Sequence, residues 1–262
     1  MEKRAVPTAH SEGRVSASPS FVVNAKLRPG RAPHNGLQWG ARWDIGSPVD
    51  DPDLDTAIAV ALAWQPRASR PALASLFELD RRLGDALARA KEPLLAQMRL
   101  AWWRDRLTDQ GGSPTGEPLL RELAVHWGER RAMLRALVDG WENLLGDAPL
   151  PASAIEAFAA GRGRALAAFA ELAGDRAIAP SAEAAGRCWA FADLAWRSSD
   201  DRERELARSL GLAVHLPALR SRELRGVGVL GALAWRALVR NEPLMQGRGA
   251  ALTAMRVGML GR

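Results

Sequence analysis

Residues 92–107 read EPLLAQMRLAWWRDRL. Pro93 suits a first helical turn, where its missing N–H costs nothing, and the residues after it are mostly good helix formers. Leu94, Leu95, Met98, Leu100, Trp102, Trp103 and Leu107 take up almost the whole circumference of that helix. A helix apolar nearly all round is expected in an interior. Gln97 and Arg104 share one stripe, and Arg99 and Arg106 form a second beside Trp102 and Trp103. Buried arginines need acidic partners, and Asp80, Asp85 and Asp105 are the nearest in sequence. The paired tryptophans therefore read as two faces of a bundle helix rather than as a surface for reading a ligand.

The preceding segment, RPALASLFELDRRLGDALARA (70–90), carries an apolar stripe of Leu73, Leu76, Phe77, Leu83 and Leu87. Asp80 and Asp85 interrupt it. Their spacing turns them about 140° apart on a helix, unlike an i,i+4 pair whose side chains project together. The two cannot easily share one metal ion. The expectation is that one of them pairs with Arg81, Arg82 or a neighbouring arginine.

Strand signals are scarce from residue 50 onward, and Ala, Leu, Arg and Glu dominate. The pattern predicts helices over 53–64, 70–90, 93–109, 117–145 with a break near Gly128, 151–173, 181–198, 201–213, 226–240 and 248–260. Proline- and glycine-rich punctuation separates them at 65–67, 111–114 and 146–151. Ser153 and Glu156 have the spacing of a capping box, and Asp200 or Asp201 stands where an N-cap belongs. There is no repeat period. The fold class expected is all-α, a bundle of eight or more helices.

Residues 1–48 hold five prolines and no helical period, and are expected to form a disordered basic tail. No methionine lies between Met1 and Met98, and the globular pattern begins abruptly at Val49. This raises the hypothesis of a mis-assigned start, with Val49 read from an alternative start codon; a native peptide from 1–48 would refute it. The helical domain is expected over 49–262. The net charge of +6 is concentrated in the tail, whose seven basic and three acidic side chains give +4. The other 214 residues carry 29 basic and 27 acidic groups. So balanced a domain does not point to a phosphate backbone, and a nucleic-acid partner is not expected. One cysteine, Cys188, and four scattered histidines exclude an intrachain disulfide and make a Cys/His metal cluster unexpected. No run approaches the ~20 apolar residues of a membrane span, and the N-terminus lacks a signal-peptide core. The expected location is cytoplasmic, with peripheral contact at the inner membrane left open.

The stretch LASLFELDRRLGDALARAKEPLLAQMRLAWWRDRL (73–107) resembles the first motif region of the squalene/phytoene synthase family, where an acidic helix precedes one with a pattern close to Q-M/I-R-L-x-W-W-R. Later segments are similar in the same order: VDGWENLL (138–145), FAAGRGRALAAFAELAG (158–174), GRCWAFADLAWRSS (186–199), HLPALRSRELRGVGVLGALAWR (215–236) and the terminal MRVGMLGR. The resemblance implies an isoprenoid-synthase-like helical bundle around a central apolar pocket. It also implies head-to-head joining of two isoprenoid diphosphates, with Mg²⁺ held by aspartate motifs on facing walls. Physically, the departing diphosphate's charge must be offset by metal ions and arginines.

The sequence departs from that pattern at both motifs. On this alignment Asp85 is the one carboxylate left in the first, with Arg89 where its partner would stand. In the second, Asp193 falls near the asparagine position, Arg197 at the arginine position, and Ser198 where an aspartate would follow. What the resemblance then implies is Asp85 as a metal ligand, Gln97, Arg99, Arg104 and Arg197 as diphosphate or pocket contacts, and Trp102, Trp103 and Asp193 as pocket lining. The departures resemble the divergent branch that includes mitochondrial complex I assembly factors. The expected function is a pseudoenzyme that binds an isoprenoid or lipid ligand, or assists assembly with a protein partner. The alternative is an active Mg²⁺-dependent prenyl transferase of isoprenoid, carotenoid or hopanoid biosynthesis.

Overall fold

The computed structural model describes residues 52–90, 92–109 and 116–261. The tail and start-site readings, and the loop at 111–114, lie outside these residues. The described chain is all-α and contains no strand. Its helices are α1 (Pro52–Trp64), α2 (Arg70–Ala88), α3 (Pro93–Thr108), α4 (Pro118–Trp127), α5 (Arg135–Glu142), α6 (Ala152–Leu172), α7 (Ala179–Arg197), α8 (Asp201–Leu212), α9 (Arg225–Arg240) and α10 (Gly247–Leu260). None is long and apolar enough to cross a membrane.

Local chemistry sets most of the boundaries. Proline occupies the first turn of α2, α3, α4 and α7, where no intrahelical donor is lost. The break expected at Gly128 is real: with φ of 55° it ends α4, and a 3₁₀ segment, Gly128–Leu134, leads into α5. Asp200 caps α8 by accepting hydrogen bonds from the backbone N–H of Arg202 and Glu203. The capping box expected at Ser153 does not form. The helix begins two residues earlier, at Ala152 after Pro151, and no side chain caps it.

The interior is organised around α6 and α7. Helix α7 packs on α6, α8 and α9, and α6 is also held against α5. Helix α7 is buried around most of its circumference, with Cys188, Trp189, Phe191, Asp193 and Arg197 all inside. The expectation that α3 would be buried all round is corrected. That helix lies at the edge of the bundle against α2 and α5. It buries one stripe, Ala96, Leu100, Trp103 and Leu107, whose alternating four- and three-residue steps follow the helical period. Leu94, Leu95, Met98 and Trp102 face outward.

Close approach of backbones positions the centre. A Cβ on Gly161 would lie 2.7 Å from the carbonyl oxygen of Ala136 and 2.8 Å from Gly140 Cα. One on Gly186 would lie 2.7 Å from the carbonyl oxygen of Arg162 and 2.8 Å from Gly163 Cα. Only residues without a side chain allow α6 to touch α5 on one side and α7 on the other at this level. Arg162 lies between the two contacts.

Candidate functional site

Arg162 projects from α6 into the middle of the bundle and is 1% exposed. Its guanidinium donates from Nε to Asp80 Oδ1 at 3.0 Å and from Nη2 to Asp80 Oδ2 at 2.7 Å. Its Nη1 donates to Asp193 Oδ2 at 2.7 Å. Asp80 comes from α2 and Asp193 from α7, so one cation joins carboxylates on facing helices. Asp80 Oδ1 has a second donor, and the one remaining oxygen, Asp193 Oδ1, is also engaged. Trp141 Nε1 donates to Asp80 Oδ1 at 2.8 Å, and Arg197 Nη1 to Asp193 Oδ1 at 3.5 Å.

Aromatic faces enclose the cation. The guanidinium carbon stands 4.0 Å from the Trp189 ring centroid, 4.7 Å from Phe158 and 5.2 Å from Trp141. Such cation–π contacts gain strength where water is excluded. Two arginines and two aspartates make the cluster neutral, which a buried group of charges requires.

The two carboxylates nevertheless differ. Burial pushes Asp80 above its ordinary range, against the pull of Arg162 and the hydrogen bond from Trp141. Burial acts on Asp193 in the same direction, but Arg162 and Arg197 together outweigh it and hold that carboxyl below the usual range. Burial opposes the charge on Arg162 as well, and the two carboxylates overcome it and raise the guanidinium.

Above this cluster opens a cavity of about 360 Å³. Ile58, Leu62 and Phe77 form apolar wall, while Arg81, Arg162 and Arg197 supply positive charge. Arg197 differs from Arg162 in one respect. Its guanidinium is nearly buried, yet the 3.5 Å contact to Asp193 is its single hydrogen bond among the described residues. A guanidinium has five N–H donors, so most of its capacity is open on the cavity side.

The residues singled out from sequence divide between this cavity and other places. Arg197 lines the cavity and Asp193 lies directly beneath it. Asp85 does not face Asp193; the α2 residue that does is Asp80. The five-residue spacing turns Asp85 toward a separate groove of about 570 Å³ between α2 and α3, which Arg99, Trp102 and Trp103 also line. There Asp85 pairs with Arg81 at 3.1 Å and Arg89 at 3.8 Å, as expected for one of the two α2 aspartates. Arg104 is bound to Asp139, at 2.9 Å, and to Glu142 on α5; neither acid was among its expected partners. Gln97 is exposed. The acids after α7 are helix-terminus groups: Asp200 is the α8 cap, and Asp201 is exposed and paired with Arg204. Ser198 donates to the buried Glu203 at 2.5 Å.

Sequence reasoning missed Arg162, the aromatic cage of Trp141, Phe158 and Trp189, and the central role of Asp80. One signal was present: a Gly-Arg-Gly step inside an alanine-rich helix places an arginine where the backbone must pack closely.

The Mg²⁺ implied by the resemblance is not matched by this donor set. All four oxygens of Asp80 and Asp193 already accept hydrogen bonds from arginine or tryptophan. Among the described residues, no three of Asp, Glu, His and Cys gather in an arrangement that could hold a metal. A divalent cation needs several oxygen ligands from groups free to turn toward it, and these engaged carboxylates do not supply them. Comparison of the chain with protein-family models, with curated proteins and with solved structures returns no match.

Proposed function

We propose that this chain is a non-catalytic protein of squalene/phytoene synthase type, and that it holds an apolar ligand in the cavity above Arg162. The observation that carries this reading is the engagement of both Asp80 and Asp193 by one buried guanidinium. Carboxylates held this way cannot turn to bind the metal ions that offset a departing diphosphate. Family membership itself rests on the sequence resemblance described above.

The cavity's size points the same way. At about 360 Å³ it is near the lower end of small-molecule pockets, about 300–1,000 Å³, which favours one occupant over the pair that head-to-head joining requires. Of the two non-catalytic roles expected, ligand binding is the one that a cavity with apolar walls supports. Arg197 would donate to a single oxygen-bearing head group. The cluster below it is neutral, so a head of low charge suits it better than a diphosphate, whose extra negative charge would lie beside Asp80 and Glu78.

The test is incubation of the purified chain with farnesyl or geranylgeranyl diphosphate and Mg²⁺, followed by extraction. The expected result is no squalene, no phytoene and no released diphosphate; any of them overturns the reading in favour of an active transferase. Farnesol, which has the chain without the charge, should raise the unfolding temperature without Mg²⁺. Leu62→Trp, which fills the cavity, should remove that effect.

A further inference from the structure

The C-terminal helices present a second surface, remote in character from the cavity. Residues 225–261 contain five arginines, Arg225, Arg236, Arg240, Arg248 and Arg256, and one carboxylate, Glu242. That carboxylate is taken by Arg236 at 3.0 Å. Helix α10 itself has two arginines and no acid. Its inner face is small and apolar, with Ala250, Ala254 and Val257 buried against the bundle. Its outer face should be polar if it only met water. Instead, Leu252 is 65% exposed, Met255 51%, Met259 69% and Leu260 62%. Arg248, Leu252, Arg256 and Leu260 follow one another at four-residue steps, so cations and apolar side chains alternate along one face, with Met255 and Met259 beside them.

A groove of about 270 Å³ adjoins this face, with Leu216, Trp235 and Val257 on its walls and Arg236 and Arg256 at its polar side. Beside it, Nη1 of Arg236 is buried and has no hydrogen-bond partner among the described residues. An apolar slot edged by an under-used guanidinium fits an acyl chain beneath an anionic head group.

We propose that α10 is a membrane-docking helix that lies in the plane of an anionic lipid bilayer. Leu252, Met255, Met259 and Leu260 enter the acyl boundary, and Arg248 and Arg256 meet the head-group phosphates. Alternating cations and apolar groups, with no acid on the helix, are the pattern of an interfacial helix on an anionic leaflet. Long arginine stems let the charge reach the head groups while the neighbours insert. A single-stranded nucleic acid would call for aromatic stacking platforms between the cations, and α10 has none. The inference does not depend on the ligand reading of the central cavity.

The test is flotation of the full chain with vesicles of phosphatidylcholine alone and of phosphatidylcholine with phosphatidylglycerol. The chain should float with the anionic vesicles, weakly with the neutral ones, and less as salt screens the attraction. The variant pairs Leu252→Ser with Met259→Ser, and Arg248→Gln with Arg256→Gln, should each lower binding on the order of tenfold. Since all four side chains are exposed, the melting curves should match the wild type. A wild-type chain that ignores anionic vesicles, or that binds neutral ones equally, overturns the proposal. So does full binding by both variant pairs, which would place the contact elsewhere. A wild-type dimer that the Leu252→Ser, Met259→Ser pair dissociates would assign this face to a second copy instead.

Discussion

Arg162 on α6 holds Asp80 on α2 at two points, Nε to Oδ1 at 3.0 Å and Nη2 to Oδ2 at 2.7 Å, with its third nitrogen on Asp193. Removing the arginine alone leaves two buried carboxylates facing each other. Arg162→Met should therefore cost about 3–5 kcal/mol in urea unfolding. Arg162→Lys should not rescue it, because an ammonium cannot reproduce the planar two-point contact. Combined with Asp80→Asn, the loss should fall short of the sum of the single losses by about 0.5–3 kcal/mol, the signature of a coupled pair.

The two carboxylates predict opposite pH slopes. Asp193 is held below its ordinary value, so its contribution is present above the unfolded value of about 3.9 and is lost as pH falls through the folded one. Asp80 is pushed above its ordinary value, so its contribution is present below the unfolded value and is lost as pH rises through the folded one. As pH rises through the carboxylate range, the stability gap between wild type and Asp193→Asn should widen. The gap for Asp80→Asn should narrow over the same range. Parallel slopes in urea titrations at stepped pH would contradict this assignment.

Adjacent tryptophans on α3 should respond differently. Trp103 is 6% exposed and Trp102 41%. Trp103→Ala should cost about 3–5 kcal/mol, while Trp102→Ala should stay within about 1 kcal/mol. Denaturant midpoints of the two variants measure this directly.

Glycine substitutions test the helix contacts. Gly186→Ala would place a Cβ 2.7 Å from the carbonyl oxygen of Arg162, an overpacking that should cost about 1–3 kcal/mol. Gly228 lies within α9, and a Cβ there would meet nothing closer than the Leu219 carbonyl oxygen at 3.5 Å. Gly228→Ala should be neutral or stabilise by about 0.5–1 kcal/mol.

Cys188 should be inert in the native protein. It is fully buried, and burial pushes its thiol up to about 12. A thiol reagent at neutral pH should label it only when the chain unfolds, so the labelling rate should follow the unfolding equilibrium.

Helix positions were legible because their signals are local. Proline in a first turn, Gly128 in the left-handed region and Asp200 as a cap each act within a few residues. The central cluster was not legible, because Arg162 and Asp80 lie 82 residues apart. No periodicity pairs residues at that distance. Helix α3 misled for a related reason: an apolar circumference tells what a helix could bury, and its place at the edge of the bundle decides what it does bury. Leu94 and Met98 are the residues on which that difference falls. Asp85 was selected by alignment to a motif, whereas a rotation of about 140° along α2 gives the inward position to Asp80.

The glycines on either side of Arg162 have a historical consequence. With α5, α6 and α7 pressed together at that level, the arginine's backbone is fixed where its guanidinium meets both carboxylates at the floor of the cavity. No single substitution frees both acidic groups, since each one strands a buried charge. Any change toward two free carboxylates crosses a stretch of poorly folded intermediates, and the present architecture behaves as a ratchet.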